Sequence, residues 1–288
     1  MEDRSLNQIA RTLIEALPYI RQLYDRTIVI KFGGNVSSDP SKLDKVAQDI
    51  VLLRLVGTRP VVVHGGGGEI SALMKRLDME PTFVDGLRVT DDETMDVVEM
   101  VLVGKVNKKI VSALQKHGGR SVGLSGKDGG LIRAKMKDPR LGRVGEVERV
   151  DTSVIETLSS SQFIPVIAPI GSNGDGKGLN INADTLAGEL SVALGALKYV
   201  VLTDVRGILR NPSDSESLIS TLTVNEARQL IDDGVIRGGM LPKVLSCIRA
   251  VEGGVERAHI LSGEIPHSLV LELLTDRGIG TMICGSDQ

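Results

Sequence analysis

Pro60-Val61-Val62-Val63-His64-Gly65-Gly66-Gly67-Gly68 decides how the rest of the chain is read. Three β-branched residues in succession suit a strand covered on both faces, as in a parallel sheet. The glycines that follow let backbone N–H groups come close to a ligand. A helical pattern runs from Glu69 to about Leu77, so the loop opens onto a helix N-terminus with partial positive charge and unpaired donors. A plain βα turn needs one or two glycines, whereas four in a row point to an anion site. Thr27-Ile28-Val29-Ile30-Lys31-Phe32-Gly33-Gly34 repeats the device with a lysine just before its glycines. Two such strand ends, one bearing a cation, fit a polyanion such as a nucleotide tail. Neither matches G-x-x-x-x-G-K-S/T or G-x-G-x-x-G, which sets aside the P-loop and the dinucleotide fingerprint.

The totals agree with an α/β protein of this kind. With 288 residues the chain can build one large α/β domain or two lobes. Its 41% hydrophobic content is ordinary for a packed core. Aromatics at 2%, without Trp, argue against base-stacking platforms and sugar-binding faces, and a net charge of -3 offers nucleic acid no basic field. No apolar run approaches the ~18 residues of a membrane span, and the N-terminus lacks a signal peptide's apolar block. Cys247 and Cys284 lie far apart without metal-ligand spacing and are expected as free thiols in a reducing, cytoplasmic setting. His64, His117, His259 and His267 show no H-E-x-x-H spacing, so no protein metal site is expected. His64-Gly65-Gly66-Gly67 and Gly119-Arg120-Ser121-Val122-Gly123 resemble serine-hydrolase motifs. A nucleophile elbow needs a strand before its serine and a helix after it. Here the order is inverted.

Elsewhere strands and helices alternate. Residues 5 to 24 carry Leu6, Ile9, Leu13, Ile14, Leu17, Ile20 and Leu23 at helical spacing, with Pro18 expected to kink the helix. Asp39-Pro40-Ser41 opens a helix to Leu55, and residues 83–91 form a loop or hairpin. A helix from Asp92 is followed by another from Val106 to His117. Residues 131–150 read as a β-ribbon, and 163–170 and 199–204 as strands. Helices are expected over 223–233, 242–252 and 266–276. This alternation implies an α/β fold, a mainly parallel central sheet with helices on both faces.

Polar residues interrupt these apolar elements at strand ends, where such sheets bind ligands. Lys31 faces the first glycine loop. Lys243 opens a helix after Gly238-Gly239-Met240-Leu241-Pro242, with Pro242 at an early helical position. Asp184 ends Asn180-Ile181-Asn182-Ala183-Asp184 at a strand-to-helix turn, and Arg88 is a lone cation in a glycine-kinked loop. Singly, each lysine reads as a solvated charge. Beside two glycine loops, they read as phosphate ligands.

These strings, together with Thr203-Asp204-Val205-x-Gly207-Ile208, resemble the amino-acid kinase family over nearly the whole chain. Residues 85–90, 100–108 and 145–147 are similar to its N-acetylglutamate kinase branch. The resemblance implies a three-layer sandwich and ATP-dependent phosphorylation of the side-chain carboxylate of N-acetyl-L-glutamate, the second step of acetylated arginine biosynthesis. It implies that Lys31 and Lys243 neutralise the transferring phosphoryl and that Asp184 orients both. Gly33 and Gly34 with Gly65, Gly66 and Gly67 would donate backbone N–H groups. Arg88 and Asn180 would hold the substrate α-carboxylate, assisted by Asn182. Adenine would lie near Thr203, Asp204, Gly207, Ile208, Leu209, Gly239 and Met240, with Mg²⁺ bridging the phosphates.

The N-terminal helix and the tail from Ala258 to Ile283 are similar to an arginine-inhibited, hexameric subclass, a trimer of dimers interlaced by kinked helices. The matching effector residues are Tyr19, Lys198, His267, Glu272 and Gly278. The implied division is a regulatory helix over 1–26, an acceptor-binding and dimerising lobe over 27–196, and a nucleotide- and arginine-binding lobe over 197–288. Versions from some photosynthetic organisms bind PII signalling proteins, a partner left open along with a plastid location. The chain departs from the family's usual residues at Asn35, Gly68, Leu179 and Ser262. Rival readings are a kinase for an N-modified 2-aminoadipate and a non-catalytic nucleotide-binding protein. The Arg88 loop favours a free α-carboxylate over a carrier amide, and the lysine pair favours catalysis.

Overall fold

The structure, a computed structural model, describes residues 10–211, 213–214 and 216–285. Residues 10–15 are helical and α1 (Leu17–Leu23) follows, with Pro18 in its first turn. The expected kink therefore falls at Ala16, where the proline cannot continue the preceding turn. Residues 5–9 of the expected helix lie outside the described residues. The chain then runs β1 (Thr27–Phe32), α2 (Gly34–Ser37), α3 (Pro40–Leu55), β2 (Arg59–His64) and α4 (Gly67–Arg76). Asp39 caps α3, its carboxylate accepting from the amides of Ser41 and Lys42.

Next come β3 (Phe83–Val84) and β4 (Leu87–Arg88), a hairpin whose turn residues Asp85 and Gly86 have φ of 50° and 77°. That is the left-handed conformation a two-residue Asp-Gly turn adopts. Then follow α5 (Asp92–Glu99), a π-helical segment (Met100–Val106), α6 (Asn107–Lys116), β5 (Ser121–Ser125), β6 (Ile132–Met136), β7 (Val144–Val150) and α7 (Ser153–Ser160). The two helices expected over 92–117 are one rod, joined through the π segment. β8 (Ile164–Ala168) and β9 (Ile170–Ser172) divide the single strand expected over 163–170 at Pro169, which has no N–H for a ladder. The rest is β10 (Gly178–Ile181), α8 (Ala183–Ala193), β11 (Lys198–Thr203), β12 (Thr221–Thr223), α9 (Val224–Asp232), α10 (Leu241–Glu252), β13 (Arg257–Ser262), α11 (Ser268–Leu274) and β14 (Thr281–Cys284).

Eight strands form one sheet in the order β12-β14-β13-β11-β1-β2-β8-β5, and β6, β7, β9 and β10 close into a small barrel. Neighbours in the large sheet run parallel except β13 and β14. Residue 196/197, the expected lobe boundary, falls just before β11, beside the β1–β11 seam. The sheet crosses that seam without a break.

Alternation along the strands sorts side chains onto two faces. Ile28, Ile30, Phe32, Val62, Val200 and Leu202 join one buried cluster with residues of α3, α6 and α11. Val29, Val61, Val63, Tyr199 and Val201 join a second with residues of α8 and α10. Lys31, between Ile30 and Phe32, must therefore point towards α8 and α10. His64, two residues after Val62, must point towards α6. Cys247 and Cys284 are buried free thiols. Among the described residues no helix is long and apolar enough to cross a membrane.

Ile30 sits in the central strand, fully buried. Ile30→Ala removes three carbons from a rigid site and should cost about 2–5 kcal/mol. Urea unfolding followed by circular dichroism should show the lowered midpoint with an unchanged slope.

Candidate active site

β1, β2 and β11 end at one edge of the sheet, with Phe32 opposite both His64 and Leu202. Their following loops meet there. A cleft of about 420 Å³ is lined by Lys31, Gly33, Gly34, Thr203, Asp204, Gly239, Met240 and Lys243. A second pocket of about 210 Å³ lies beside it, lined by Gly65, Gly66, Gly67, Arg88, Asn180, Asn182 and Asp184 among others. Lys31 and Asp184 thus stand where the two hollows adjoin.

The centre is an ion triad. Lys31 Nζ lies 2.5 Å from Asp184 Oδ1, and Lys243 Nζ lies 3.5 Å from Asp184 Oδ2. Lys31 and Asp184 are both buried, each about 5% exposed. Burial lowers the Lys31 pKa, Asp184 opposes that shift, and Lys243 adds to it. Lys243 Nζ also donates to the Gly239 carbonyl at 3.2 Å.

Helix packing sets the triad's dimensions. Asp184 lies in the first turn of α8, and Asn182 caps that helix by accepting from the amides of Asp184 at 2.9 Å and Thr185 at 3.1 Å. The Asn182 oxygen is committed to the cap. Gly188 lets α8 approach α10 closely: a Cβ there would lie 2.9 Å from the Ser246 carbonyl oxygen. Tyr199 Oη, beneath, is 3.2 Å from Ser246 Oγ and 3.4 Å from the Asp184 carbonyl. Ser246 Oγ in turn donates to the Lys243 carbonyl at 2.7 Å. Tyr199 and Ser246 therefore tie the helix bearing Asp184 to the helix bearing Lys243, a link that no motif announces.

Both glycine loops have fixed and free amides. Gly65 N–H donates to the Phe32 carbonyl at 2.9 Å, which removes it from the expected donor set. Gly66 is the N-cap of α4, so the amides of the first turn remain without intrahelical partners. Gly33 caps α2 in the same way, although there the Val36 amide is already bonded to the Gly33 carbonyl at 3.1 Å and only the amides of Gly34 and Asn35 lack an intrahelical partner. Lys109 Nζ donates to the carbonyls of Ser37 at 2.5 Å and Ser38 at 3.3 Å, and Ser38 Oγ donates to Glu69 Oε1 at 2.6 Å. The latter bond latches one loop to the other.

Arg88 reaches the second pocket from the hairpin. Its Nη2 donates to the Gly67 carbonyl at 2.9 Å and to Ser71 Oγ at 2.8 Å, while its guanidinium carbon lies 4.8 Å from the centre of the Phe83 ring. Burial lowers its pKa from the ordinary arginine value. Asn180 Nδ2 donates to Thr90 Oγ1 at 3.2 Å, fixing it near Arg88. Gly207, Ile208 and Leu209 are placed apart from the cleft lining. Ile208 is a core residue whose amide donates to Thr281 Oγ1 at 2.8 Å, and Leu209 bridges to Leu218.

The residues matched to an effector site gather at the opposite end of the strands. Lys198 and Arg257 are paired first residues of β11 and β13. Burial, then Arg257, lowers the Lys198 pKa. Glu272 Oε1 accepts from His259 Nδ1 at 2.8 Å, and its Oε2 accepts from the Ile279 amide at 2.7 Å. A Cβ on Gly278 would come within 3.8 Å of the same carboxylate. Tyr19 packs on the core cluster together with Val270 and Ile279. His267, at φ 58°, stands slightly apart, with its Nδ1 2.6 Å from Asp49 Oδ1.

Two glycine loops and two cations around one carboxylate, set at the strand ends of a parallel sheet, define a phosphate-handling α/β enzyme. The chain belongs to the amino acid kinase family, whose sequence model matches residues 26–262. An acetylglutamate kinase from Moorella thermoacetica is 54% identical over 282 residues, covering 94% of this chain and 95% of that protein. One from Methanothermobacter thermautotrophicus is 50% identical over 285 residues, covering 94% and 97%. Among solved structures, the N-acetylglutamate synthase of Neisseria gonorrhoeae complexed with coenzyme A and N-acetyl-glutamate superposes with a TM-score of 0.84 at 29% identity. That match covers 97% of this chain and 64% of the synthase, so this chain spans just under two thirds of the synthase's length. An isopentenyl phosphate kinase shares the fold, with a TM-score of 0.63 at 21% identity.

Gly188→Ala should push α8 from α10, because the obstruction is backbone that cannot swing aside. Overpacking of this kind costs about 1–3 kcal/mol. The loss should appear in urea unfolding, and a crystal structure of the variant should show Lys243 withdrawn from Asp184. An unchanged separation would refute the packing account.

Proposed function

We propose that this chain transfers the γ-phosphoryl group of ATP to the side-chain carboxylate of N-acetyl-L-glutamate, giving an acyl phosphate in arginine biosynthesis. The observation that carries the reading is the Lys31–Asp184–Lys243 triad standing where two anion-sized hollows meet. The acetylglutamate kinases that match at about half identity over nearly their whole length support the choice of acceptor.

A carboxylate acceptor is already ionised near neutral pH, so the reaction needs no general base. The obstacle is bringing two anions into line. Lys31 and Lys243 offset that repulsion from two sides, and Asp184 keeps both ammonium groups oriented without cancelling both charges. The free amides at the starts of α2 and α4 face the nucleotide phosphates and the acceptor respectively. Arg88 and Asn180 take the α-carboxylate, which leaves the side-chain carboxylate directed at the triad. Asn182 acts through its helix cap and frames the pocket. Thr203, Asp204, Gly239 and Met240 border the nucleotide's side, with the 207–209 stretch as its outer support. Mg²⁺ arriving with the nucleotide would screen the phosphate charge. Among the described residues no group of three or more His, Cys, Asp or Glu could hold a metal, and Asp184 is taken by the lysines, so phosphate and water oxygens would be its ligands.

In this reading residues 27–196 receive the acceptor and 197–288 the nucleotide. L-Arginine is the effector, bound between Tyr19 on α1 and the Lys198, Glu272 and Gly278 cluster, with His267 at its rim. Glu272 is the natural partner for a guanidinium. The exposed apolar residues Leu13, Ile14 and Leu17 suit pairing of N-terminal helices in a hexamer. The setting is cytoplasmic.

Hydroxylamine trapping of the acyl phosphate, with Mg-ATP and N-acetyl-L-glutamate, tests the activity. Lys31→Ala and Asp184→Asn should each lower kcat by about 10²–10³-fold. Absence of product from the native chain would overturn the reading, and product only with N-acetyl-2-aminoadipate would transfer it to that acceptor. The charged form of Lys31 is the functional one and its pKa is lowered, chiefly by burial, so kcat should fall on the alkaline side below the ordinary lysine range. A flat profile there would refute that role. A chain lacking residues 1–24 should keep its activity and lose inhibition by arginine, measured in the same assay.

A further inference from the structure

His64 and Asn107 are both wholly buried polar residues behind the acceptor-side loop. Asn107 Nδ2 donates one proton to the Val166 carbonyl at 2.8 Å, with the Leu124 carbonyl at 3.4 Å as a weaker, shared acceptor, which settles the end of the amide that carries nitrogen. The same nitrogen lies 3.2 Å from His64 Nε2. An amide NH₂ can only donate, so Nε2 accepts and the imidazole proton sits on Nδ1. Nδ1 is 3.1 Å from the Gly65 carbonyl oxygen, to which it donates. Burial lowers the His64 pKa to about 4, which keeps the ring neutral at working pH. Gly65 is thus held on both sides: its N–H by the Phe32 carbonyl, and its carbonyl, which shares a peptide plane with the Gly66 N–H, by His64. The amides of Gly66 and Gly67, next along the chain, take their direction from that anchored unit.

The segment that delivers Asn107 also touches the loop. Met100–Val106 is π-helical, a rare geometry that collects at functional sites. Two of its residues back the loop directly: a Cβ on Gly66 would lie 2.7 Å from Leu102 Cδ2 and 3.3 Å from Val106 Cγ2. Opposite, Gly123 leaves the room that the Asn107 side-chain oxygen fills, since a Cβ there would overlap it. A merely space-filling core position would not need an asparagine with every donor aimed.

We propose that Asn107 is a positioning residue for phosphoryl transfer, acting through His64 to hold the Gly65–Gly66 peptide so that the Gly66 and Gly67 amides point at the acceptor carboxylate. The proposal rests on the function argued above, and it makes the histidine a neutral hydrogen-bond relay in place of an acid, base or metal ligand.

The test is a double-mutant cycle of His64→Ala, Asn107→Ala and the double variant, assayed by hydroxamate trapping in the full-length protein. Misplaced transition-state donors should lower kcat by about 10²-fold in each single variant, with the KM for ATP unchanged. The double variant should lose no more than His64→Ala alone, as expected when one residue acts through the other. Additive losses, or variants that lose thermal stability while keeping kcat, would overturn the proposal. Should the variants fail to fold, ¹⁵N-histidine NMR of the native protein decides, because only four histidines contribute. A neutral His64 protonated on Nδ1 supports the relay, and one protonated on Nε2 overturns it. A native chain inactive on this acceptor would instead fail the functional reading, while the tautomer would still judge the relay.

Discussion

Burying an ammonium group is expensive unless a counter-charge meets it, and this protein buries Lys31 beneath its binding cleft with a second lysine close by. One carboxylate, that of Asp184, serves both. Everything around it holds that carboxylate still: the Asn182 cap fixes the first turn of α8, and Tyr199 and Ser246 fix α8 against α10. Two cations sharing one anion leave a net positive charge facing the cleft. A one-to-one pairing would have neutralised the site. The energetic cost of burying Lys31 and Asp184, with Lys243 half-buried beside them, is thereby converted into a field that an incoming anion completes.

The sheet distributes the chemistry by parity. Odd-numbered positions of β1 point to the α8–α10 side and even-numbered ones to the α3–α6 side, so Lys31 joins the triad while Phe32 joins the core. In β2 the same rule sends Val63 to the first side and His64 to the second, beneath Asn107. A one-residue slip in β1 would exchange Lys31 for an apolar side chain in the cleft, and one in β2 would take His64 away from Asn107. Precise register, set by apolar burial along whole strands, is what places the polar groups.

Much of this was legible in the residues. β-branched runs ending in glycines located the strands at the heart of the sheet, and Asp39-Pro40 announced α3. Lys31, Lys243 and Asp184 were singled out because each interrupts an apolar element at a strand or helix end. Other features were not legible, for physical reasons. The π segment has the same apolar spacing as the helices it joins. The short strands β12 and β14 are too brief to show a period and depend on neighbours distant in sequence. The commitment of the Gly65 amide to Phe32 is a backbone bond, invisible in any side-chain pattern. Asn107 and Ser246 sit in ordinary amphipathic helices and Tyr199 in a fully buried strand, and only the fold shows what they touch.

The bond from Gly65 N–H to the Phe32 carbonyl, with the Ser38–Glu69 contact nearby, joins the loop after β1 to the loop after β2. The two hollows therefore share a wall that cannot part without breaking main-chain pairing. A donor and an acceptor seated on either side meet at a spacing laid down during folding, before either arrives. Alignment is thereby a property of the resting protein, set by the same main-chain pairing that builds the sheet.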